Sequence, residues 1–157
     1  MDPFLAFKFL HVVSMFFFVA MAVSGEVVLR RIAASRDVRT IRTVVPRIRV
    51  LTGPVAMAFL VAGLVFGVLG ALTGQINLLA PWLLLAYAAF LAAMAVGMTV
   101  TDPWVGRLER AANASGDGTP SEALLAVIDD PMPRYGTWAL MALIAILVFI
   151  MVVKPLG

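Results

Sequence analysis

The stretch FLAFKFLHVVSMFFFVAMAVSG, residues 4–25, is apolar over almost its whole length. A helix needs about 20 such residues to cross the ~30 Å hydrocarbon core of a bilayer. Three further stretches meet this condition, residues 51–74, 81–100 and 136–153. Lipid cannot hydrogen-bond an open strand edge, and these stretches lack the polar alternation of barrel strands. We therefore expect an all-α membrane protein in which a single domain, residues 1–157, forms an antiparallel four-helix transmembrane bundle.

The composition excludes an ordinary soluble domain, because 62% of the residues are hydrophobic and only 13% are charged. The absence of cysteine excludes disulfides, thiolate metal sites and covalent attachment of a c-type haem. No activated nucleophile, carboxylate pair or phosphate-binding glycine loop is recognisable, so hydrolytic chemistry has no support. The sequence alone leaves open whether the protein is an enzyme.

Basic residues are distributed unevenly over the connections between the four stretches. The first and third connections hold ten arginines, whereas the second connection holds none. Because Lys and Arg beside spans are retained in the cytoplasm, we expect both termini to lie outside it. The seven arginines between residues 30 and 49 would attract anionic lipid head groups by about 1 kcal/mol each. Nucleic acid is a poor candidate partner for a surface that is pressed against a membrane.

The third connection predicts two short interfacial helices on the cytoplasmic face of the bundle, residues 103–112 and 120–129. Asp102 is expected to cap the first of them, with a proline in its first turn. Thr119 and Glu122 have the spacing of a capping box for the second. We expect a lid packed on the bundle, with a docking surface for another protein as the alternative.

Four glycines recur along one face of the second span, at Gly63, Gly67, Gly70 and Gly74. This spacing confines them to a narrow stripe of a helix. Small residues so arranged let two helix backbones approach closely in lipid. The stripe, which we call the glycine seam, therefore predicts a close helix crossing. A flat surface for a planar ligand such as a porphyrin or quinone is the alternative.

Two ionisable residues lie in or beside the first span. His11 is the only histidine of the chain, and it is a ligand, a proton carrier or a structural residue that hydrogen-bonds within the bundle. Tyr87 is expected at a similar depth and is its predicted partner in the structural case. Glu26 has Arg30 four residues later, which favours an ion pair on the helix over a role in proton uptake.

Four motifs resemble a family of four-span bacterial membrane proteins that have no assigned function: KFLH (8–11), RVLTGPVAM (49–57), TDPW (101–104) and MVVKP (151–155). More distantly, the first half is similar to the HemJ-type protoporphyrinogen oxidases and the CopD-type membrane proteins, whose first span begins with Lys-x-x-His. The resemblance implies a bacterial inner (cell) membrane location. Because the corresponding histidine of HemJ-type proteins is implicated in haem binding, it also implies that His11 binds haem b.

A haem site would involve more than the imidazole. Lys8, one turn from His11, could pair with a propionate, and Lys154 could join it. With one histidine, the iron would be five-coordinate, would take Met151 as second ligand, or would bind two His11 residues across a homodimer. The candidate cofactor site therefore comprises Lys8, His11, Tyr87 and Met151, with His11 as the metal ligand.

Two classes of function follow from these residues. The first is a small haem-binding membrane protein with a redox or sensing role. The second is a non-catalytic membrane subunit or scaffold without a cofactor, working in a homodimer or a larger membrane complex. An ion-coupled transporter is disfavoured, because no series of acidic residues continues through the spans from Glu26.

Overall fold

A computed structural model describes residues 2–116 and 118–155 of the chain, and the secondary structure within them is entirely helical. Seven α-helices and two short π-helical segments follow one another in this order: α1 (Pro3–Ala34), α2 (Val38–Val50), the first π segment (Leu51–Val55), α3 (Ala56–Thr73), α4 (Pro81–Val96), the second π segment (Gly97–Thr101), α5 (Asp102–Ala114), α6 (Glu122–Ile128) and α7 (Met132–Val153). Four helical stretches are long and apolar enough to cross a membrane. The predicted four-helix membrane fold is therefore confirmed.

Local sequence accounts for where several of these helices begin. Asp2 accepts a hydrogen bond from the Phe4 amide at 3.0 Å, and Pro3 occupies the first turn of α1. Pro81 opens α4 in the same manner. At the C-terminal end of α7, Lys154 adopts a left-handed conformation that terminates the helix.

The long helices continue beyond the predicted spans. The arginine-rich connection is not a loop, because it forms the last turns of α1 and the whole of α2. Helix α2 passes through the first π segment directly into α3, and α4 passes through the second π segment into α5. Each π segment lies at or just before a proline, Pro54 or Pro103. Because a proline ring clashes with the carbonyl four residues earlier, a wider π turn lets the helix continue where an α turn would break.

This continuity corrects the predicted lid. The predicted helix 103–112 exists as α5, but it extends the third long helix and is not a separate interfacial helix. Asp102 is consequently not a cap, since it is the first residue of α5 and the helical turns continue into it from the second π segment. The predicted helix 120–129 is present as the shorter α6. Its cap is Ser121, whose hydroxyl accepts from the Leu124 amide at 3.2 Å, and not Thr119.

The best packed part of the molecule is built from charged helices. We call it the arginine-rich unit, and it comprises the end of α1 from Leu29 onward, α2, α5 and α6. Ten buried apolar residues form its core: Leu29, Ala33, Val38, Ile41, Val45, Trp104, Val105, Leu108, Ala112 and Leu124. Every one of these four helices contributes, so the unit is a small helical core attached to the spans.

The spans themselves pack mainly as two pairs. Helix α1 lies along α3, and α4 lies along α7. The α4–α7 pair has its own small core of Trp82, Leu83, Ala86 and Ile150. Contacts between the pairs include an approach of α1 to α7, which positions the Glu26–Thr137 site described below.

Candidate functional site

The glycine seam of α3 is covered by α1. A Cβ atom added at Gly67 would lie 2.8 Å from His11 Nδ1, and one added at Gly63 would lie 2.5 Å from Met15 Sδ. The next two glycines towards the end of α3 meet the side chains of Phe7 and Phe4. The predicted close helix crossing is therefore confirmed. The seam is occupied by α1 along its length and offers no open face to a planar ligand within this chain.

His11 lies in this crossing, half-buried, and makes one hydrogen bond to the backbone of the neighbouring helix. Its Nδ1 is 2.7 Å from the carbonyl oxygen of Gly63. A carbonyl oxygen only accepts, so Nδ1 carries the hydrogen. In the neutral imidazole, Nε2 is then the nitrogen with a free lone pair. The hydrogen bond predicted for a structural His11 is present, but its acceptor is Gly63 and not Tyr87.

The remaining candidate cofactor residues divide between the two helix pairs. Lys8 lies on α1 with His11, is exposed, and places its Nζ 5.9 Å from the centre of the Phe4 ring. Met151 packs against the core of the α4–α7 pair. Tyr87, on α4, is 41% exposed. The structure thus groups Lys8 with His11 and places Met151 and Tyr87 on the other pair.

A second polar site joins the two helix pairs beside the arginine-rich unit. The Glu26 side chain is 4% exposed and accepts a hydrogen bond from Arg30 Nε at 3.0 Å. The predicted ion pair is therefore confirmed. Thr137 of α7 lies between both partners, because its hydroxyl donates to Glu26 Oε1 at 2.5 Å and accepts from Arg30 Nε at 2.9 Å. Burial of the carboxylate is compensated by these partners.

Two glycines bring this site together. Gly25 precedes Glu26, and its Cα faces the Thr52 side chain of the first π segment so closely that a Cβ there would overlap it. Gly136 precedes Thr137, and a Cβ there would lie 2.7 Å from Val100 Cγ1 in the second π segment. Each glycine therefore lets α1 or α7 lie directly on a π segment. The residues that follow these glycines, Glu26 and Thr137, are the two that meet between the pairs.

The guanidinium of Arg30 also lines an open cavity of about 330 Å³ beside this site. Charges of both signs line it, from Arg30 and Arg36 and from Asp129 and Asp130. Arg36 Nη2 donates to Asp129 Oδ1 at 2.9 Å. The Met132 backbone amide lowers the pKa of Asp130 below the ordinary aspartate value; burial partly opposes this effect, and Arg107 adds to it. Asp130 is therefore charged at neutral pH.

Trp104 is one of the residues that line the cavity. Its ring is 3% exposed, its Nε1 donates to the Val127 carbonyl at 3.0 Å, and the Arg30 guanidinium carbon lies 5.8 Å from its centre. The indole therefore already has both a hydrogen-bond acceptor and a cation over its face. The sequence indicated Trp104 only as a residue of a short helix, because its partners are distant in the chain.

Two arginines of α2, Arg42 and Arg49, make hydrogen bonds within the arginine-rich unit itself. Arg49 donates to Glu109 at 2.9 Å and to Asp102 at 3.3 Å. Arg42 donates from Nε to the Ala112 carbonyl at 2.8 Å. These contacts tie α2 to α5, so part of the positive charge has a structural role.

Among residues 2–116 and 118–155, no group of three or more His, Cys, Asp or Glu side chains is arranged to hold a metal ion. Four apolar helices of spanning length and an all-α fold define a four-span integral membrane protein. The family model described as "Predicted integral membrane protein (DUF2269)" matches residues 5–155, and the chain belongs to that family. No curated protein and no solved structure matches the chain. The predicted membership of a family of four-span membrane proteins is confirmed, and the more distant resemblance to HemJ-type and CopD-type proteins stays a prediction.

Proposed function

We propose that this integral membrane protein binds haem b through His11. The observation that carries the proposal is the 2.7 Å contact between His11 Nδ1 and the Gly63 carbonyl. Histidines that ligate a metal almost always donate their other ring N–H to a carbonyl or carboxylate, which fixes the tautomer and the ring orientation. His11 has this arrangement, with Nε2 as the nitrogen that would bind iron.

The donor set fits a single axial ligand from each chain. Met151, one of the predicted alternatives for the second ligand, belongs to the α4–α7 pair, whereas His11 is a residue of α1 and packs against α3. A five-coordinate iron, or an iron held by His11 from each of two chains, therefore suits the residues better than a His–Met pair. Lys8 lies one turn away on the same helix and is exposed, so its ammonium would pair with a propionate. Haem at such a site supplies one-electron redox chemistry or binding of a small gaseous ligand.

An optical spectrum of protein purified from haem-replete cells tests the proposal. We expect a Soret band in the unaltered protein and its loss in His11→Ala. Met15→Leu is the matched control, because Met15 occupies the same helix face and packs on Gly63 of the same seam. One haem per chain would indicate five-coordinate iron, and one per two chains would indicate the symmetric dimer. Full haem content in His11→Ala would refute the proposal.

The second candidate is a non-catalytic membrane subunit without a cofactor. It is favoured by the low burial of the spans, since only 17–22% of each apolar window is buried within the chain. The remaining surface faces lipid or the helices of other subunits. A colourless, folded preparation from haem-replete cells that co-purifies with a stable membrane partner would support this class and not the first.

The proposed setting is a bacterial cell membrane with the arginine-rich unit in the cytoplasm and both termini outside. The distribution of arginines supports this orientation. Attraction of anionic lipids is also proposed, and it would depend on the exposed Arg31, Arg39 and Arg47.

A further inference from the structure

We infer that the cavity beside Arg30 binds the phosphoethanolamine head group of a membrane phospholipid. The cavity, about 330 Å³, is at the lower end of the ~300–1,000 Å³ typical of small-molecule sites. Neither the haem proposal nor the membership of the family assigns a ligand to it. The inference depends on the position of the cavity, on the charges around it and on the fact that Arg30 already covers the Trp104 ring.

The position of the cavity matches the head-group layer. Arg30 and Ala33 lie on α1 beyond the apolar stretch that ends at Gly25, and Pro133 lies in the first turn of α7. Tyr135 and Trp138, which follow Pro133, are 69% and 66% exposed. Aromatic side chains of this kind concentrate at the boundary between the hydrocarbon and the head groups. A lipid whose chains lie along α7 therefore has its head group beside the cavity.

The charges suit a zwitterion. Two guanidinium groups and two carboxylates line the cavity, so a ligand with one negative and one positive group is better matched than an anion. Arg30 uses Nε and Nη2 for Glu26 and Thr137, and Arg36 uses Nη2 for Asp129. Among the described residues, Nη1 of both arginines is left for a phosphate, to which guanidinium groups bind strongly.

The two carboxylates of the cavity indicate that the positive group of the ligand is a primary ammonium. Asp129 is 59% exposed at its side chain, and the lowered pKa of Asp130 keeps that carboxylate ionised. Their remaining acceptor positions suit a primary ammonium, which has three N–H donors. A choline group has no N–H to donate. It would need a free aromatic face, and Arg30 already covers that of Trp104.

Lipid retention in nanodiscs of equal phosphatidylethanolamine, phosphatidylglycerol and phosphatidylcholine content, read by native mass spectrometry, tests the inference. We expect one retained phosphatidylethanolamine per chain, preferred about tenfold over the other two, because hydrogen bonds to charged groups commonly contribute at least that factor. The double variant Asp129→Asn, Asp130→Asn should lose the preference. Asparagine at position 130 still accepts the Met132 amide that Asp130 accepts at 2.9 Å, so the start of α7 is maintained.

Asp102→Asn is the matched control, because Asp102 is an exposed partner of Arg49 in the same unit and does not line the cavity. It should retain the preference. If the double variant fails to fold, Asp129→Asn alone serves, since this side chain is largely exposed. Equal retention of the three lipids, or an unchanged preference in the aspartate variants, would overturn the inference.

Soluble glycerophosphoethanolamine distinguishes the source of the head group. If the site takes the lipid, this compound should not bind the detergent-solubilised protein at concentrations where the lipid is retained. Binding of the soluble compound at the same concentrations would mean that the cavity recognises a free phosphoethanolamine ester, and the assignment to a membrane lipid would be wrong.

Discussion

At the scale of single residues, the glycines of α3 decide how closely α1 can lie. Nothing but hydrogen at Gly67 fits beside His11, and the bond from His11 to the Gly63 carbonyl depends on that distance. The geometry of the imidazole is therefore set by two residues that carry no side chain. Gly25, which precedes Glu26, shows the same dependence, since only hydrogen fits there beside Thr52 of the first π segment.

Gly67→Ala should destabilise the protein by about 1–3 kcal/mol, the usual cost of overpacking. The new methyl group would lie 2.8 Å from His11 Nδ1, so either the imidazole ring or α1 itself must move away from α3. Thermal unfolding in detergent measures the effect. Gly106→Ala in α5 is the control, because its methyl group would meet only Arg110 Nη1 at an ordinary 3.5 Å. That variant should be neutral or more stable by up to about 1 kcal/mol, and equal stability of the two variants would contradict the close crossing.

Sequence reasoning at this scale succeeded where the partners are neighbours on one helix. The Glu26–Arg30 pair is separated by four residues and was predictable from spacing alone. Thr137 is 111 residues from Glu26, and no local pattern identifies it as the third member. The hydrogen-bond acceptor for His11 could not be predicted either. It is the backbone carbonyl oxygen of Gly63, and every residue type has such an oxygen.

At the scale of helices, the predicted boundaries missed two places where a helix continues. Pro103 was predicted to lie in the first turn of a separate short helix, and the second apolar stretch, which contains Pro54, was predicted to begin at residue 51. In the structure both prolines are accommodated by π segments, so α2 joins α3 and α4 joins α5 without a break. Whether a helix bends, widens or stops at a proline depends on what packs against it. Gly25 and Gly136 supply that packing, and the sequence did not show which residues they face.

Leu108→Ala should cost about 2–5 kcal/mol, because it would leave a cavity in the core of the arginine-rich unit. Leu91→Ala is the matched control on the same long helix, where the leucine side chain is 65% exposed to the surroundings. The control should change stability by less than about 1 kcal/mol, since lipid fills the space of the removed isopropyl group. Unfolding can be followed by the fluorescence of Trp104, which packs in the same core. A larger loss for Leu91→Ala would mean that α4 has a protein partner at that face.

At the scale of the whole molecule, two helix pairs are held together next to the arginine-rich unit. The Glu26–Thr137 contact joins the pairs, and α2 and α5 connect each pair to the same core. The number of spans was predictable because hydrophobic length is a strong signal. The division into pairs was not, since the spans are apolar on every side and their sequences do not show which faces meet.

Single cysteines at positions 77 and 116 should be labelled from opposite sides of the membrane, with position 77 on the outside. The expectation rests on the arginines, which lie in the first and third connections and are absent from the second. Asn77 and Gly116 are both exposed, and the chain has no native cysteine, so each site reports without a background signal. Labelling with a membrane-impermeant maleimide, before and after the membrane is opened, is the measurement. Labelling of both positions from one side would contradict the four-span topology.

The arginine-rich unit also sets an order of events during biosynthesis. The apolar face of α2, formed by Val38, Ile41 and Val45, packs on Leu108 and other residues of α5. Residues 51–114, with two complete spans among them, must be translated before that partner exists. At roughly 5–20 residues per second, α2 waits for roughly 3–13 s. During that interval the end of α1 supplies only part of the core, so the bilayer surface covers the rest of the apolar side of this amphipathic, arginine-rich helix. Until α5 has been synthesised, α2 of the nascent chain therefore lies on the membrane surface. Packing against α5 then removes α2 from the lipid.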